Sequence, residues 1–194
     1  MEPSGSAARD DDSRLLAAAL RGEQRAFVDL LRRHDRMLRL VAWQVLGDRD
    51  LMDDALQEVA LKAWRGLPGF RGEAALGTWL SRLAYNAGID MLRRRRRELP
   101  LEEPVGRDSL WAGPADHADP ADLVGDREAL RAAFIALPVD QRLTVLLVDR
   151  EGCDYETVAG ILGVRPGTVA SRLSRARSAL RAALTPAPGP TATR

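Results

Sequence analysis

The sequence has very few residues that bind metals or form disulfides: one cysteine and two histidines among 194 residues. The single cysteine, Cys153, excludes an intramolecular disulfide and a zinc site built from several cysteines, and it indicates a reducing cytosol. His34 and His117 have no neighbours at metal-ligand spacing. The sequence therefore predicts neither a metal site nor a bound cofactor.

Long apolar runs are also missing. No stretch approaches the roughly 20 apolar residues that are needed to span a bilayer, and the acidic N-terminus lacks the basic and then apolar pattern of a signal peptide. There is no Gly-rich phosphate loop, no repeat and no pairing of a nucleophile with a base. We therefore expect a soluble cytoplasmic protein that is not an enzyme.

The formal net charge of +1 conceals an uneven distribution of charge. Residues Arg93–Arg97 are five consecutive arginines, whereas the stretch Glu98–Glu128 holds nine acids against two arginines. Four prolines between residues 98 and 122 argue against regular structure there. Basic patches separated by an acidic segment suggest two contacts with a polyanion and a flexible tether between them.

Helical periodicity dominates the rest of the chain, and no strand pattern is present. We predict an all-α fold of two small helical domains joined by a flexible acidic linker, the second domain containing a helix-turn-helix. The expected divisions are a disordered start (1–12), a first domain (13–97), the linker (98–124), a second domain (125–184) and a disordered tail (185–194).

The second domain ends in the most informative stretch of the chain. A short helix, Tyr155–Leu162, meets Gly163 and a tight connection, after which Thr168 can cap a second helix. A helix after such a turn, apolar on one side, is what a helix-turn-helix lays in a DNA major groove. The alternative is an ordinary helical hairpin with a solvated basic face. The polar side of the second helix carries Thr168, Ser171, Arg172 and Arg175.

The helix predicted over residues 49–65 has an apolar stripe and an opposite polar side. That polar side suits a protein partner with basic side chains. An acidic helix face is also typical of a solvated surface, so both interpretations stay open at this point. The polar side carries Asp50, Asp53, Asp54, Gln57 and Glu58.

The order of these pieces resembles the extracytoplasmic-function (ECF) sigma factors, the small promoter-recognition subunits of bacterial RNA polymerase. The resemblance covers roughly Leu15–Leu184. In the first domain it is carried by Leu46-Gly-Asp-Arg-Asp50, Asp54-Ala-Leu-Gln-Glu58, Ala63-Trp-Arg65, Phe70-Arg-Gly-Glu73, Thr78-Trp-Leu80, Asn86 and the run from Asp90 to Arg97. In the second domain it is carried by Leu137-Pro138, Gln141-Arg142 and Gly167-Thr-Val-Ala-Ser-Arg-Leu-Ser-Arg-Ala-Arg177. Each motif is weak alone, but their order is specific.

The resemblance implies three partners: core RNA polymerase, promoter DNA and an anti-sigma factor, which in this family is often membrane-bound. On the polymerase it implies contacts with the clamp helices of the largest subunit and with the flap. The acidic linker would thread the polymerase as a nucleic-acid mimic. The residues implied for docking on the clamp helices are Asp50, Asp53, Asp54, Gln57 and Glu58.

The loop from Phe70 to Glu73 resembles the loop that captures a base flipped from the minus-ten promoter element. Melted DNA exposes ring faces and base edges, which an aromatic ring, a cation and accessible backbone amides can hold. Trp79 is either a stacking platform or a core residue. Arg95–Arg97 rank lower, because arginines at a helix C-terminus also serve as a cap. The residues implied for minus-ten DNA are Phe70, Arg71, Gly72, Glu73, Trp79, Arg82, Asn86, Asp90, Arg93 and Arg94.

The helix-turn-helix resembles the part of the family that reads the minus-thirty-five element. Ala170 departs from the family pattern, in which Lys or Arg is usual, and Leu76 and Ser81 stand where aromatic residues are frequent. We expect one phosphate contact and some base stacking to be missing in consequence. The residues implied for minus-thirty-five DNA are Arg165, Thr168, Ser171, Arg172, Ser174, Arg175 and Arg177.

Two other classes of protein remain open. A stand-alone helix-turn-helix regulator would bind duplex DNA without polymerase, and an anti-sigma-like scaffold would not bind DNA. Replacing Asp54 and Glu58 by alanine separates a sigma factor from a regulator, because only a sigma factor needs that helix face for transcription.

Overall fold

The computed structural model describes residues 5–98 and 124–184. The chain divides into two compact units. The first unit contains α1 (Gly5–Leu20), α2 (Gln24–Leu46), α3 (Arg49–Gly66) and α4 (Leu76–Glu98). The second contains α5 (Val124–Ala136), α6 (Val139–Val145), the greater part of α7 (Tyr155–Leu162) and α8 (Pro166–Leu184). The predicted all-α fold with two domains is confirmed, and no strand occurs in the two described ranges.

Some of the predicted organisation lies outside the described residues. The linker predicted over 98–124 falls almost wholly between the two described ranges, together with His117, and the tail predicted from residue 185 lies beyond them. Among the helices that the structure describes, none combines the length and the apolar character that crossing a membrane requires.

Helix α1 begins at Gly5, so the prediction of a disordered start is wrong for residues 5–12. The reason is a set of contacts with α2 that composition does not reveal. Asp12 accepts a hydrogen bond from Arg33 Nε at 2.9 Å, and its other carboxylate oxygen lies 3.1 Å from His34 Nε2. Asp11 forms an ion pair with Arg33 at 3.4 Å. These acidic side chains tie α1 to its neighbour.

Local capping signals determine where α2 ends and α3 begins. Gly47 adopts φ 64°, the left-handed conformation that favours glycine, and its N–H donates to the Trp43 carbonyl. The Asp48 carboxylate then accepts hydrogen bonds from the N–H groups of Asp50 and Leu51 at 3.0 and 3.1 Å. A glycine stop followed directly by an aspartate cap therefore sets the turn from which α3 presents its polar side.

The core of the first unit lies between α2, α3 and α4. Gly88 allows α4 to approach α2 closely, since a Cβ at this position would lie 2.8 Å from Val45 Cγ1. Trp64 of α3 is half-buried and meets Phe27 of α2 edge-on, with ring centroids 4.9 Å apart. Both α3 and α4 therefore pack against α2. The fully buried residues of the three helices include Leu30, Val41, Ala55 and Leu80.

Helix α8 begins at Pro166, two residues before the cap that the sequence predicts at Thr168. The Thr168 N–H donates to the Arg165 carbonyl at 2.9 Å, so Thr168 lies inside the first helical turn. Proline suits the first helical position because its φ is preset and no N–H is needed there. The predicted apolar stripe is confirmed for the buried residues Val169, Leu173 and Ala176.

Candidate nucleic-acid interface

The polar side of α3 faces solvent, but its five predicted residues are not equivalent. Asp53 is held by Arg39, whose Nη1 lies 3.2 Å from the carboxylate. Glu58 is half-buried and pairs with Lys62 at 2.7 Å and with Arg94 at 3.1 Å. Three residues are exposed, and their side chains make no ion pair or hydrogen bond with any other described residue: Asp50, Asp54 and Gln57.

Leu61 extends this set and is absent from the predicted site. It lies four residues after Gln57 and seven after Asp54, which places it on the same side of the helix. Leu61 is 58% exposed, the largest fraction among the large apolar residues that the structure describes. Helical spacing counted from Asp50 would have found it. The docking line is therefore defined as Asp50, Asp54, Gln57 and Leu61.

Ion pairing shifts the pKa of two groups beside the docking line. The Lys62 ammonium, assisted by Arg94, lowers the pKa of Glu58 in spite of partial burial. The carboxylate of Asp35, and then that of Asp53, raises the pKa of Arg39. Both groups are therefore charged near neutral pH, and their ion pairs are intact there.

The loop predicted to hold a flipped base follows a single 3₁₀ turn. Phe70 is half-buried and packs against Trp79, with ring centroids 5.3 Å apart and the ring planes tilted by 47°. Gly72 adopts φ 72°, a conformation that a side chain would strain. Arg71 and Glu73 are exposed. Trp79 is thus neither a core residue nor an isolated platform, because its half-buried ring supports Phe70.

The predicted polar stripe of α4 is exposed at helical spacing, with steps of four, four and three residues between Arg82, Asn86, Asp90 and Arg93. The arginines that follow are more constrained. Arg94 reaches Glu58 on α3, and the Nε of Arg97 donates to the Arg93 carbonyl at 3.3 Å. Arg97 therefore caps the end of its own helix, whereas Arg95 lies 3.6 Å from Asp48 at the start of α3.

Helix α8 presents a polar side in the second unit. Ser174 and Arg175 are exposed on the helix, and Arg165 is exposed in the connection before it. Thr168 and Ser171 are half-buried, and the Ser171 hydroxyl donates to the Thr168 carbonyl at 2.9 Å. This side offers an exposed guanidinium next to a hydroxyl, a combination that can read base edges or phosphates in a major groove.

Two arginines that were predicted to contact duplex DNA are instead held within the second unit. Arg172 Nη2 lies 2.7 Å from Asp140 of α6, and only 21% of the Arg172 side chain is exposed. Arg177 pairs with Asp149 through two nitrogen atoms, and Asp149 raises its pKa. The guanidinium that the sequence predicts to contact DNA is thus engaged by an acid of its own unit. Helical spacing locates Arg172 on the polar side of α8, but it does not reveal the aspartate opposite.

Models of two protein families match the chain in the same order as the two units. The model of sigma-70 region 2 matches residues 30–98, and a model of sigma-70 region 4 matches residues 127–180. The ECF RNA polymerase sigma factor SigM of Mycobacterium tuberculosis is 40% identical over 173 residues, which cover 87% of this chain and 82% of that protein. The chain belongs to the ECF RNA polymerase sigma factors.

Other relatives of this sigma factor match over nearly their full length. The RNA polymerase sigma-H factor of Pseudomonas aeruginosa is 32% identical over 186 residues, which cover 92% of this chain and 96% of the relative. CnrH, solved in complex with the cytosolic domain of CnrY, is similar with a TM-score of 0.63 and 25% identity, over 90% of this chain and 97% of that one. The sigma factor RpoE of Bartonella quintana, solved in complex with the anti-sigma factor NepR, is similar with a TM-score of 0.60 and 29% identity, over 81% of this chain and 96% of that one.

The matched regions separate the candidate surfaces of this sigma factor. Region 2 comprises most of α2 with all of α3 and α4, so it contains the docking line, the Phe70 loop and the polar stripe of α4. Region 4 runs from α5 into α8, so it contains the exposed Arg175 and the two held arginines. The two surfaces predicted to contact DNA therefore lie in different regions.

Proposed function

We propose that this protein is an alternative sigma factor that binds core RNA polymerase, directs it to specific promoters and nucleates promoter melting. The observation that carries the proposal is the docking line, which lies on the same unit as a separate stripe of aromatic, amide and basic side chains. Two surfaces of different character on one unit suit a protein that holds polymerase with one and DNA with the other. The role requires no covalent chemistry, metal or cofactor of the chain itself.

The docking line fits a helical partner that presents basic side chains around an apolar one, and we assign it to the polymerase clamp helices. Asp50 and Asp54 have no cation of their own among the described residues, so both carboxylates are available to the partner. Leu61 is 58% exposed, and covering it on docking would contribute roughly 1–2 kcal/mol. Charge complementarity would direct the encounter, and the leucine would add to the lifetime of the complex.

The Phe70 loop and the α4 stripe would hold the melted minus-ten strand. Stacking of one base on an aromatic side chain is worth about 1–3 kcal/mol, which is comparable with the few kcal/mol that flipping a base costs. Capture of one base by Phe70, supported by Trp79, therefore offsets the local cost of opening. Arg71 and Arg82 would contact phosphates, and Asn86 would contact a base edge.

Region 4 would bind the minus-thirty-five element through a smaller set of contacts than the sequence predicts. Arg175 and Ser174 would face the major groove, and Arg165 would contact a phosphate. Arg172 and Arg177 would act within the unit, because both are engaged by aspartates. Fewer phosphate contacts imply a shallower dependence of duplex affinity on salt.

The proposal includes an anti-sigma partner. Of the two similar solved structures, RpoE is bound to the anti-sigma factor NepR and CnrH is bound to the cytosolic domain of CnrY. An anti-sigma factor that covered the docking line would keep the chain from polymerase. Action on polymerase assigns the protein to the cytoplasm. The division into a first domain (13–97), an acidic linker (98–124) and a second domain (125–184) is part of the same proposal.

Run-off transcription with purified core polymerase and a library of candidate promoters tests this function. The wild-type chain is expected to give promoter-specific products. The double variant Asp54→Ala, Leu61→Ala is expected to abolish them by weakening core binding, while duplex binding by region 4 is unchanged. Asp29→Asn is the charge control, because it neutralises a half-buried acid of α2 that pairs with Arg32 and lies outside the docking line.

Each alternative has its own outcome when duplex binding and DNA crosslinking are measured beside transcription. With an active core, the absence of any promoter-specific product would overturn the proposal. Duplex binding without such products would identify a stand-alone helix-turn-helix regulator. A chain that gives no crosslinks to any DNA would be a scaffold.

A further inference from the structure

One ion pair joins the two functional surfaces of region 2. Glu58 belongs to the polar side of α3, and Arg94 belongs to the arginine run of α4. Their closest atoms, Glu58 Oε2 and Arg94 Nη2, are 3.1 Å apart, while the other carboxylate oxygen of Glu58 lies 2.7 Å from Lys62 Nζ. The pair is accessible to both partners, with 29% of the Glu58 side chain and 50% of the Arg94 side chain exposed.

We propose that the Glu58–Arg94 pair is an electrostatic latch, in which Glu58 withholds Arg94 from nucleic acid until polymerase docks and a basic group of the polymerase takes over the carboxylate. The inference rests on the proposed function, since it assigns a regulation to the same docking site. Glu58 is the acid of the predicted docking set that is already paired with a residue predicted to bind DNA. Docking and DNA binding would then strengthen each other by the same factor.

The surroundings of the pair explain why one carboxylate matters. Arg94 lies in an open cleft between α3 and α4 that is lined by three arginines and two acids, Glu58, Asp90, Arg93, Arg94 and Arg97. The formal charge of this cleft is therefore +1, and neutralising Glu58 doubles it. Because an exposed cation gains affinity for phosphate when its competing acid is removed, the isolated chain should bind single-stranded DNA more tightly without the Glu58 charge.

The size of the effect follows from the exposure of the pair. Ion pairs that are open to solvent contribute modestly, and the upper part of the range measured for them corresponds to about a two- to fivefold change in affinity. Releasing one arginine to the backbone of a single strand should also make the slope of log affinity against log salt steeper by about 0.7. Both quantities lie within the resolution of a binding titration.

The first experiment measures how the full-length chain binds a fluorescein-labelled single-stranded oligonucleotide, by fluorescence anisotropy at several salt concentrations. Glu58→Gln is expected to bind about two- to fivefold more tightly than the wild type, with the steeper salt slope. Asp53→Asn is the matched control, because it neutralises an acid of the same helix that pairs with Arg39 instead. In an Arg94→Gln background the gain from Glu58→Gln should disappear.

The second experiment measures the reactivity of Arg94 toward phenylglyoxal, read by tandem mass spectrometry relative to its neighbour Arg93. Modification of Arg94 is expected to increase when the wild-type chain is bound to core polymerase without DNA, and the free Glu58→Gln chain should already show the increased value. Glu58→Gln binding that equals the wild type, or is absent in both, would overturn the latch. So would an Arg94 reactivity that polymerase leaves unchanged or reduces.

These results are separable from the proposed function. Promoter-specific transcription with no effect of Glu58→Gln on the free chain would refute only the latch. Loss of transcription with an active core would refute the sigma-factor function, whatever the free chain shows.

Discussion

Removing the Asp140 carboxylate is expected to loosen α8 more than removing the arginine that it holds. The pair joins α6 to α8 at 2.7 Å, with 32% of the Asp140 side chain and 21% of the Arg172 side chain exposed. In Asp140→Asn the Arg172 guanidinium keeps its charge but loses its counter-ion, and its Nη1 is buried with no hydrogen-bond partner among the described residues. Exposed pairs are worth about 0.2–1 kcal/mol and breaking buried ones costs about 3–5 kcal/mol. The Asp140–Arg172 pair lies between these two limits of burial, so we expect Asp140→Asn to lower the free energy of unfolding of the second unit by about 1–2 kcal/mol.

Hydrogen exchange of α8 peptides, followed by mass spectrometry, reads the second unit separately from the first. The expected loss corresponds to about five- to thirtyfold faster exchange in Asp140→Asn. The α8 peptides of Arg172→Met should exchange more slowly than those of Asp140→Asn, because the Asp140 carboxylate that is left behind is more exposed than the Arg172 guanidinium. In the double variant with Asp140→Asn exchange should also be slower than in Asp140→Asn, because neither charge of the pair remains. Asp149→Asn, which breaks the more exposed pair with Arg177, is the control and should have a smaller effect. If Arg172→Met weakened promoter binding and left exchange unchanged, Arg172 would be a DNA contact and this reasoning would be wrong.

Three further outcomes follow from local contacts. Asp48→Ala removes the α3 cap and should cost about 1 kcal/mol in urea denaturation; an unchanged midpoint would contradict the cap. Gly88→Ala should lower the thermal midpoint although alanine favours helices, because its Cβ would lie 2.8 Å from Val45 Cγ1. Its cost should be smaller in a Val45→Ala background, where the nearest contact becomes the Cβ of residue 45 at 3.1 Å. Asp154 accepts the Thr157 N–H, which lowers its pKa. The contribution of the Asp154 carboxylate to the free energy of unfolding is therefore complete above its pKa in the unfolded chain and is lost as the pH falls through its pKa in the folded chain. Asp154→Asn should remove this pH dependence from a plot of stability against pH. A plot with the same pH dependence as the wild type would refute the assignment.

Features set by neighbouring residues in the sequence were predictable. Gly47 can end one helix and Asp48 can cap the next, so the sequence around these two residues is enough to predict where α3 begins. The position of Leu61 was equally predictable, because helical periodicity alone places it on the same side of α3 as Asp54. The N-terminal half of α1 was not predictable, since this acidic stretch is helical where Asp11 and Asp12 meet Arg33 and His34 of another helix, a contact that local sequence does not reveal.

The same distinction governs the arginines. Arg172 and Arg175 lie three residues apart on one side of α8, so helical periodicity alone predicts the same exposure for both. Packing separates them, because α6 brings Asp140 to Arg172, and no acid from the described residues pairs with Arg175.

Arg93 and Arg94 differ for a related reason, since adjacent helical residues point in different directions and Arg94 faces α3. Several of the arginines that suggest a polyanion partner are thus already neutralised in the folded chain. A chain with a formal net charge of +1 and few unpaired exposed guanidiniums on each surface should bind DNA weakly by itself. Under the proposed function, tight binding requires a second protein that brings both surfaces to one promoter, and the docking line on the first unit would supply the contact with that protein.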